Sequence, residues 1–131
     1  MMITTKGRNA LKIMIDLARR DGEGFISLAD IAERQRESLK YLEASASQLT
    51  SAGLIVSARG KSGGYKLAKS PESYTAFEIL QVGEGTLSPV QCLISGCENA
   101  VTCDTLPLFK ELDEVIVSFL SSKTLKDLIK N

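Results

Sequence analysis

The fold of this 131-residue chain is decided by residues 54–68, which read Leu54-Ile55-Val56-Ser57-Ala58-Arg59-Gly60-Lys61-Ser62-Gly63-Gly64-Tyr65-Lys66-Leu67-Ala68. An apolar run opens the stretch, and a run of alternating apolar and polar residues closes it. Both patterns are typical of short strands. Between them lies a glycine-rich basic segment that contains Arg59, Gly60 and Lys61. The pattern predicts a β-hairpin whose tip carries positive charge.

Two helices are predicted ahead of this hairpin, near the N-terminus. Thr4 or Thr5 can cap the first helix, which ends near residues 21–24. Its apolar face consists of Ala10, Leu11, Met14, Leu17 and Ala18. In the second helix Ser27 and Asp30 have the spacing of a capping box, in which each side chain satisfies the backbone amide of the other residue. The inward residues of this helix are Leu28, Ile31 and Ala32.

A third helix is predicted to begin at Ser38 and to end before Gly53, which suits the left-handed position after a helix. The apolar residues at helical spacing are Leu39, Leu42, Ala46 and Leu49. The outward positions are polar or small: Ser38, Lys40, Tyr41, Glu43, Ala44, Ser45 and Gln48. Two short, tightly joined helices form a helix-turn-helix, whose second helix reads DNA bases. The two helices alone leave an ordinary helical hairpin open as an alternative.

The hairpin at residues 54–68 favours the DNA-binding interpretation, because a hairpin directly after a helix-turn-helix is the wing of a winged-helix domain. Arg59 and Lys61 would then reach phosphates or a minor groove. The sequence therefore predicts a mainly α fold with a small β-hairpin wing. We assign residues 1–70 to a winged helix-turn-helix DNA-binding domain.

The charge is distributed unevenly, although the chain as a whole has a formal net charge of zero. Residues 1–70 carry 12 Lys and Arg against 7 Asp and Glu, whereas residues 71–131 carry 4 against 9. A basic first half is expected of a domain that binds a polyanion. Uneven solvation of an ordinary surface is the simpler alternative.

Residues 71–104 are predicted to connect the DNA-binding domain to a C-terminal helix. Thr75 and Glu78 form a second capping-box pattern, which opens a short helix that ends at residues 83–85. Three cysteines follow within 12 residues, at Cys92, Cys97 and Cys103. We assign this connecting helix and the cysteine loop to one segment.

Residues 105–131 are predicted to form a long helix, with Pro107 in its first turn, and a short final helix from Thr124 to Asn131. The apolar face of the long helix is wide: Leu108, Leu112, Val115, Ile116, Phe119 and Leu120. We expect the residues opposite to face water: Lys110, Glu111, Asp113 and Glu114. A small domain has little core to cover such a face, so we predict a dimerisation helix. Packing within the chain is the alternative.

The cysteines indicate metal binding or redox chemistry. The first 20 residues lack the apolar core of a signal peptide and no apolar run has membrane-spanning length, so we predict a cytoplasmic protein. In the cytosol, clustered cysteines favour metal or redox sensing over a structural disulfide. The chain has no histidine, and zinc sites use closer cysteine pairs. The longer spacing suits an iron-sulfur cluster, and a thiol-disulfide switch stays open.

The combined motifs resemble the bacterial iron-sulfur winged-helix transcription regulators, a family that includes IscR and NsrR, and most closely its IscR branch. The resemblance covers nearly the whole chain. It depends on the cysteine triplet and on Thr5-Lys6-Gly7-Arg8 with Ala10, Leu28-Ala29-Asp30-Ile31-Ala32-Glu33-Arg34-Gln35, Ser38 with Tyr41-Leu42-Glu43, Gly53-Leu54-Ile55, and Arg59-Gly60 with Gly63-Gly64-Tyr65.

This resemblance implies a homodimer that binds a palindromic double-stranded DNA operator, with an iron-sulfur cluster that tunes the affinity. The cluster expected is 2Fe-2S, with 4Fe-4S as an alternative, held by Cys92, Cys97 and Cys103. The DNA-binding residues implied are Ser38, Tyr41 and Glu43 on the reading helix and Arg59 and Gly60 on the wing. Lys40, Arg59 and Lys61 would attract phosphates, and Glu43 would select sequence.

Three departures from this family concern the cluster. The first cysteine gap is one residue shorter than usual, and the histidine that completes the cluster in the IscR branch falls at Leu106, which cannot ligate. Other branches take a ligand from the partner's first helix, where this chain offers Arg8, Asn9 and Lys12. Asp104 is our candidate for the fourth ligand; Glu98, a solvent species and an exogenous thiol are the alternatives.

The sequence thus predicts a cluster-dependent DNA-binding regulator. The alternative is a cluster-independent winged-helix repressor controlled by thiol oxidation, a protein partner or a small ligand. We do not predict an enzyme, because the sequence shows no catalytic nucleophile paired with a general base and no nucleotide-binding loop. Gly60-Lys61-Ser62 fails as a phosphate loop, since that motif requires glycine where Ile55 stands.

Overall fold

The computed structural model describes residues 3–129, which fold into helices around one two-stranded antiparallel sheet. No helix in this range is long and apolar enough to cross a membrane. The elements in chain order are α1 (Thr5–Arg19), α2 (Leu28–Gln35), α3 (Leu39–Ser51), β1 (Ile55–Ala58), β2 (Gly64–Leu67), a 3-10 helix (Pro71–Ser73), α4 (Ala76–Glu84), α5 (Cys92–Ser95), α6 (Leu106–Ser121) and α7 (Leu125–Leu128). The predicted mainly α fold with a hairpin wing is confirmed.

The core forms around α1, which contacts α2, α3, α4, α7 and β2. Ile13, Met14 and Leu17 of α1 are buried against residues of the other helices. Tyr74 is fully buried as well, and its hydroxyl donates to the Leu54 carbonyl at 2.7 Å and accepts from the Lys69 amide at 2.9 Å. This side chain therefore fixes both ends of the wing to the core.

The two helices of the helix-turn-helix end in the same hydrogen-bond pattern. Arg36, with φ 56°, follows α2, and the Glu37 amide bonds the Ala32 carbonyl at 3.0 Å. Gly53, with φ 78°, follows α3 as predicted, and the Leu54 amide bonds the Leu49 carbonyl at 3.0 Å. These left-handed residues reverse the chain abruptly. The turn between α2 and α3 is tight because Arg36 ends α2 within one residue.

The wing pairs β1 with β2 in antiparallel register from Ile55 opposite Leu67 to Ala58 opposite Gly64. Ile26 extends the sheet, since it exchanges two backbone hydrogen bonds of 2.8 Å with Tyr65. A Cβ atom on Gly64 would lie 2.2 Å from the Ile26 carbonyl oxygen. Glycine is therefore required at position 64 for the segment before α2 to pair with the wing.

The structure corrects the predicted faces of two helices. Leu39 is 42% exposed, because it lies at the first position of α3, one turn before the helix enters the core at Leu42. Ser45, predicted to face outward, is 3% exposed on the side of α3 that faces α1. Asp113 of α6, predicted to face water, is half-buried in a cavity near Phe77 of α4.

The helix ends also differ from the prediction. Ser27 and Thr75 each accept from the backbone amide three residues on, but the return bonds do not form among residues 3–129. The Thr124 box is complete. Helix α7 ends at Leu128, and the predicted end at Asn131 lies outside the described residues. Cys92–Ser95 forms one helical turn within the predicted loop.

Helix α4 ends at Glu84, within the predicted range of residues 83–85, and Gly83 lies inside its last turn. It is buried where α4 crosses α1, and a Cβ atom on Gly83 would lie 2.9 Å from the Cα of Gly7 and 3.1 Å from the Cβ of Ala10. Facing glycines let two helix backbones approach closely because no side chain separates them. Gly83 therefore continues the helix and brings α4 against α1.

We expect Gly83→Ala to destabilise the fold by about 1 to 3 kcal/mol, because the added methyl forces two backbones apart. The gain in helix propensity, about 1 kcal/mol for alanine over glycine, is too small to offset this. Chemical denaturation measures the effect. Gln81→Ala, on the exposed side of α4, is the matched control and should change stability by less than about 0.5 kcal/mol. A Gly83→Ala protein as stable as the control would contradict the close crossing.

Candidate nucleic-acid interface and cysteine segment

The N-terminal half of α3 presents the polar surface that the sequence predicted. Ser38, Lys40, Tyr41 and Glu43 are all exposed, and Tyr41 is 64% exposed. Within residues 3–129 none of these side chains makes a hydrogen bond or an ion pair. They are therefore free to contact a ligand that lies along the helix.

The wing tip presents the basic residues in the same way. Arg59, Gly60 and Lys61 are exposed between β1 and β2, and the Gly63 amide closes the tip on the Gly60 carbonyl at 3.0 Å. Gly60 has φ 104°, which favours glycine at this turn. The hairpin thus projects two cations from a turn that a backbone hydrogen bond closes.

An ion pair that the sequence analysis missed holds α2 on α1. Arg34 donates two hydrogen bonds to the carboxylate of Asp16, at 3.0 and 2.8 Å, and Asp16 is only 2% exposed. The hydrogen bond to Asp16 raises the pKa of Arg34 above its ordinary value. Asp16 stands among buried apolar positions of α1, and such a carboxylate requires a partner. That position was the available signal in the sequence.

Glu84, also missed by the sequence analysis, caps the N-terminus of α1 from the last position of α4. Its carboxylate accepts from the Thr4 amide at 2.7 Å, the Thr4 hydroxyl at 2.8 Å and the Gly7 amide at 2.9 Å. Burial alone would raise the pKa of Glu84, but the bonds from Thr4 and Gly7 outweigh it and lower the pKa below 4.5. An ionised carboxylate at a helix N-terminus is stabilised by the helix dipole as well.

The three cysteines lie on the surface of the segment between α4 and α6. Cys92 and Cys97 are exposed, and Cys103 is half-buried with its Sγ 3.2 Å from the Thr105 hydroxyl. Hydrogen bonds from the Thr105 hydroxyl and from the amides of Thr105 and Leu106 lower the pKa of Cys103. Local desolvation, then the neighbouring Cys97 sulfur, raise the pKa of Cys92, although this residue is exposed. The thiols are therefore not equivalent.

The segment has the donor atoms for an iron-sulfur cluster but does not hold them assembled. Three thiols on one loop match the soft ligands that such clusters take. Within residues 3–129, no three cysteine or carboxylate side chains are close enough to hold a metal ion. Asp104 is exposed, and the aliphatic Leu106 is buried at the start of α6. A cluster therefore requires the loop to close around it.

A tight turn between two helices, an exposed second helix and a basic hairpin after it define the winged helix-turn-helix class of DNA-binding proteins. Comparison with protein families matches residues 3–131 to Rrf2, described as an iron-dependent transcriptional regulator. The chain belongs to the Rrf2 family of transcription regulators. The predicted resemblance is thereby confirmed.

Similar proteins include regulators of two names. The chain is 39% identical over 132 residues to the HTH-type transcriptional regulator IscR of Xenorhabdus nematophila. This match spans 100% of this chain and 80% of that protein. It is 43% identical to CymR, the global cysteine regulator of B. subtilis, with a TM-score of 0.76. The structural match covers 98% of this chain and 96% of the CymR chain. T. potens IscR is 36% identical, with a TM-score of 0.80, and the match covers 99% of this chain and 87% of that chain. These relatives are regulators and not enzymes, as predicted for this chain.

We expect Glu84→Gln to lower the free energy of unfolding by about 1 kcal/mol at neutral pH, because an amide caps α1 without the charge. The folded pKa of Glu84 is depressed, so its contribution is present above the ordinary value of 4.5 and is lost as pH falls through the folded pKa. The two proteins should therefore converge in stability in acid. Glu72→Gln, on the exposed surface, is the control, and a pH-independent gap between Glu84→Gln and wild type would contradict the assignment.

Proposed function

We propose that this chain is a dimeric cytoplasmic regulator whose affinity for a palindromic operator is tuned by an iron-sulfur cluster on the cysteine loop. The observation that carries the DNA-binding part is the exposed polar surface of α3, unpartnered within residues 3–129, beside a basic wing. In this proposal residues 1–70 bind DNA, residues 71–104 sense the signal and residues 105–131 form the dimer.

The DNA-binding roles follow from the chemistry of each exposed side chain. Arg59 and Lys61 attract phosphates from the wing, and Lys40 does so from α3, so their contributions depend on salt. Ser38 and Tyr41 offer hydroxyl groups to bases or phosphates. Glu43 can accept a hydrogen bond from the amino group of cytosine and repels sites without such a donor. Gly60 allows the wing backbone to approach the DNA.

The dimer interface is proposed on the outer face of α6. Leu108, Leu112, Val115 and Phe119 are exposed by 62%, 41%, 63% and 58%. They are spaced by four, three and four residues, which is the spacing of a coiled-coil seam. Monomeric proteins rarely expose a continuous apolar stripe of this kind. Two copies joined along it would present two reading helices to a symmetric site.

The cluster is proposed to be held by Cys92, Cys97 and Cys103, with Asp104 as the fourth ligand and 2Fe-2S as the first choice over 4Fe-4S. A bound cluster supplies a reversible change of redox state and a charge that can be gained or lost. The loop that holds it begins eight residues after the end of α4 and ends three residues before the start of α6. Closing the loop around a ligand therefore pulls on the two elements that it joins.

A thiol switch is the second candidate, because two observations favour it. The pKa of Cys103 is lowered by the hydrogen bond from Thr105, and Cys97 is near enough to Cys92 to contribute to the rise in the pKa of Cys92. A lowered pKa increases the thiolate fraction that an oxidant attacks. In this version an oxidised thiol takes the place of the cluster as the signal.

We expect Arg59→Ala to weaken binding to every DNA site and to reduce the salt slope of log K by about one, because one phosphate contact is lost. Glu43→Ala should instead broaden sequence preference with a smaller effect on the best site. Fluorescence anisotropy on an operator and its single-base variants, at several salt concentrations, measures both. Lys110→Ala, on α6, is the control for charge. An unchanged ranking of sites in Glu43→Ala would remove Glu43 from base recognition.

Protein purified without oxygen should absorb broadly in the visible range and contain iron and acid-labile sulfide in equal amounts. Serine in place of Cys92, Cys97 or Cys103 should abolish the colour and change operator affinity, since thiolates hold the cluster. Ser95→Ala, in the same loop, should keep the visible colour and the operator affinity of the wild type. Colourless, iron-free protein that resists reconstitution would reject the cluster. Operator affinity that then changes with peroxide and recovers with dithiothreitol would support the thiol switch.

A further inference from the structure

A groove of about 570 Å³ lies between the N-terminal part of α1 and one side of the reading helix α3. Its size is within the range of about 300 to 1,000 Å³ found for small-molecule sites. Lys6 and Asn9 line it from α1, and Tyr41, Ser45 and Gln48 line it from α3. The groove is therefore adjacent to the proposed DNA-reading surface and shares Tyr41 with it.

Two polar residues of this groove are buried, and one of them has a buried atom without a partner. Asn9 is 2% exposed, and its Oδ1 is buried with no hydrogen bond. Ser45 is 3% exposed, and within residues 3–129 its hydroxyl makes no hydrogen bond but is open to solvent. Buried polar groups in folded proteins are nearly always paired, so unpaired ones indicate a missing ligand or a functional constraint. The amide of Asn9 can donate and accept, because a rotation exchanges its oxygen and nitrogen.

The other lining residues define the charge and shape of a ligand. Lys6 is the only charged residue of the groove lining within residues 3–129, and no carboxylate lines it. Glu84 attracts Lys6 but is already bound by Thr4 and Gly7. Ala44 and the Tyr41 ring supply apolar contact. A suitable ligand carries one carboxylate, a hydrogen-bonding group near it and a short apolar part.

We propose that the groove between α1 and α3 binds a small carboxylate of amino-acid size, with its carboxylate at Lys6 and its polar group on Asn9 and Ser45. A ligand in this position contacts Tyr41 and so changes the surface that meets DNA. The effect on DNA depends on the proposed function, whereas ligand binding itself does not. Measuring the two separately distinguishes failure of one from failure of the other.

The test uses the full chain and a panel of probes: the α-amino acids, the matching α-hydroxy acids, the α-amino acid amides and inorganic phosphate. Saturation-transfer NMR without DNA detects binding, and calorimetry measures the affinity of any probe that binds. We expect at least one carboxylate to bind at millimolar concentration or below and its amide to bind at least about tenfold more weakly, because the amide lacks the charge that Lys6 pairs with.

Substitutions of the lining residues test whether the ligand binds in this groove. Ser45→Ala and Asn9→Ala should each weaken the bound carboxylate about threefold to tenfold, since each removes one hydrogen bond. Ser47→Ala, on the exposed side of α3, is the matched control for Ser45→Ala, and Lys110→Gln is the matched control for Lys6→Gln. Both controls should leave the affinity for the carboxylate unchanged. If a core variant fails to fold, Ala44→Phe fills the groove from its rim without altering a buried residue, and it should abolish binding.

The proposal is overturned if no carboxylate of the panel binds, or if binding survives Ala44→Phe and the Ser45 and Asn9 variants. It is overturned equally if inorganic phosphate binds as tightly as the carboxylates with the same dependence on Lys6, because the groove would then be a contact for the DNA backbone. A carboxylate that binds as proposed but leaves operator affinity unchanged supports the site and rejects only its coupling to DNA.

Discussion

The contact between α1 and α4 at Gly7 and Gly83 is the constraint on which most of the structure depends. A Cβ on Gly83 would lie 2.9 Å from the Gly7 Cα, and Glu84, the next residue, caps α1 from the same crossing. Helix α1 also carries the core that supports α3 and β2. The last turn of α4 is therefore fixed to the winged helix-turn-helix, and the cysteine segment continues directly from it.

Much of the fold was predictable because local patterns determine it. Capping residues, helical spacing and Gly53 gave the helix-turn-helix, and the strand patterns around Arg59-Gly60-Lys61 gave the wing. The contacts between elements were not predictable in the same way. Ser45 looks like a surface residue until α1 is placed beside α3, and the close contact at Gly83 appears only when α1 is placed beside α4. Likewise, Glu84 becomes a cap only because the crossing brings it to Thr4, 80 positions away in sequence.

The cysteine segment shows a different limit. Residue type and spacing predicted the ligand chemistry, and the structure places all three thiols on one segment. Spacing does not determine how sulfur atoms converge, because the backbone of a short loop with Gly96 at φ 81° has many arrangements. The fourth ligand is the sharpest case. Leu106, where the resemblance places the histidine ligand, is aliphatic and buried at the start of α6, so it cannot supply a fourth ligand.

The two helices of the DNA-binding unit are held in different ways. Helix α2 is tied to α1 by the Arg34 and Asp16 ion pair, and Lys12 pairs with Glu37 just beyond it. Within residues 3–129, no side chain of α3 makes a hydrogen bond or ion pair to another element; Leu42, Ala46 and Leu49 hold it by apolar packing. Apolar packing is non-directional, so it resists small rotations less than bidentate hydrogen bonds do. A change at α1 or in the groove therefore reaches α3 through apolar packing contacts and not through a polar side-chain tie.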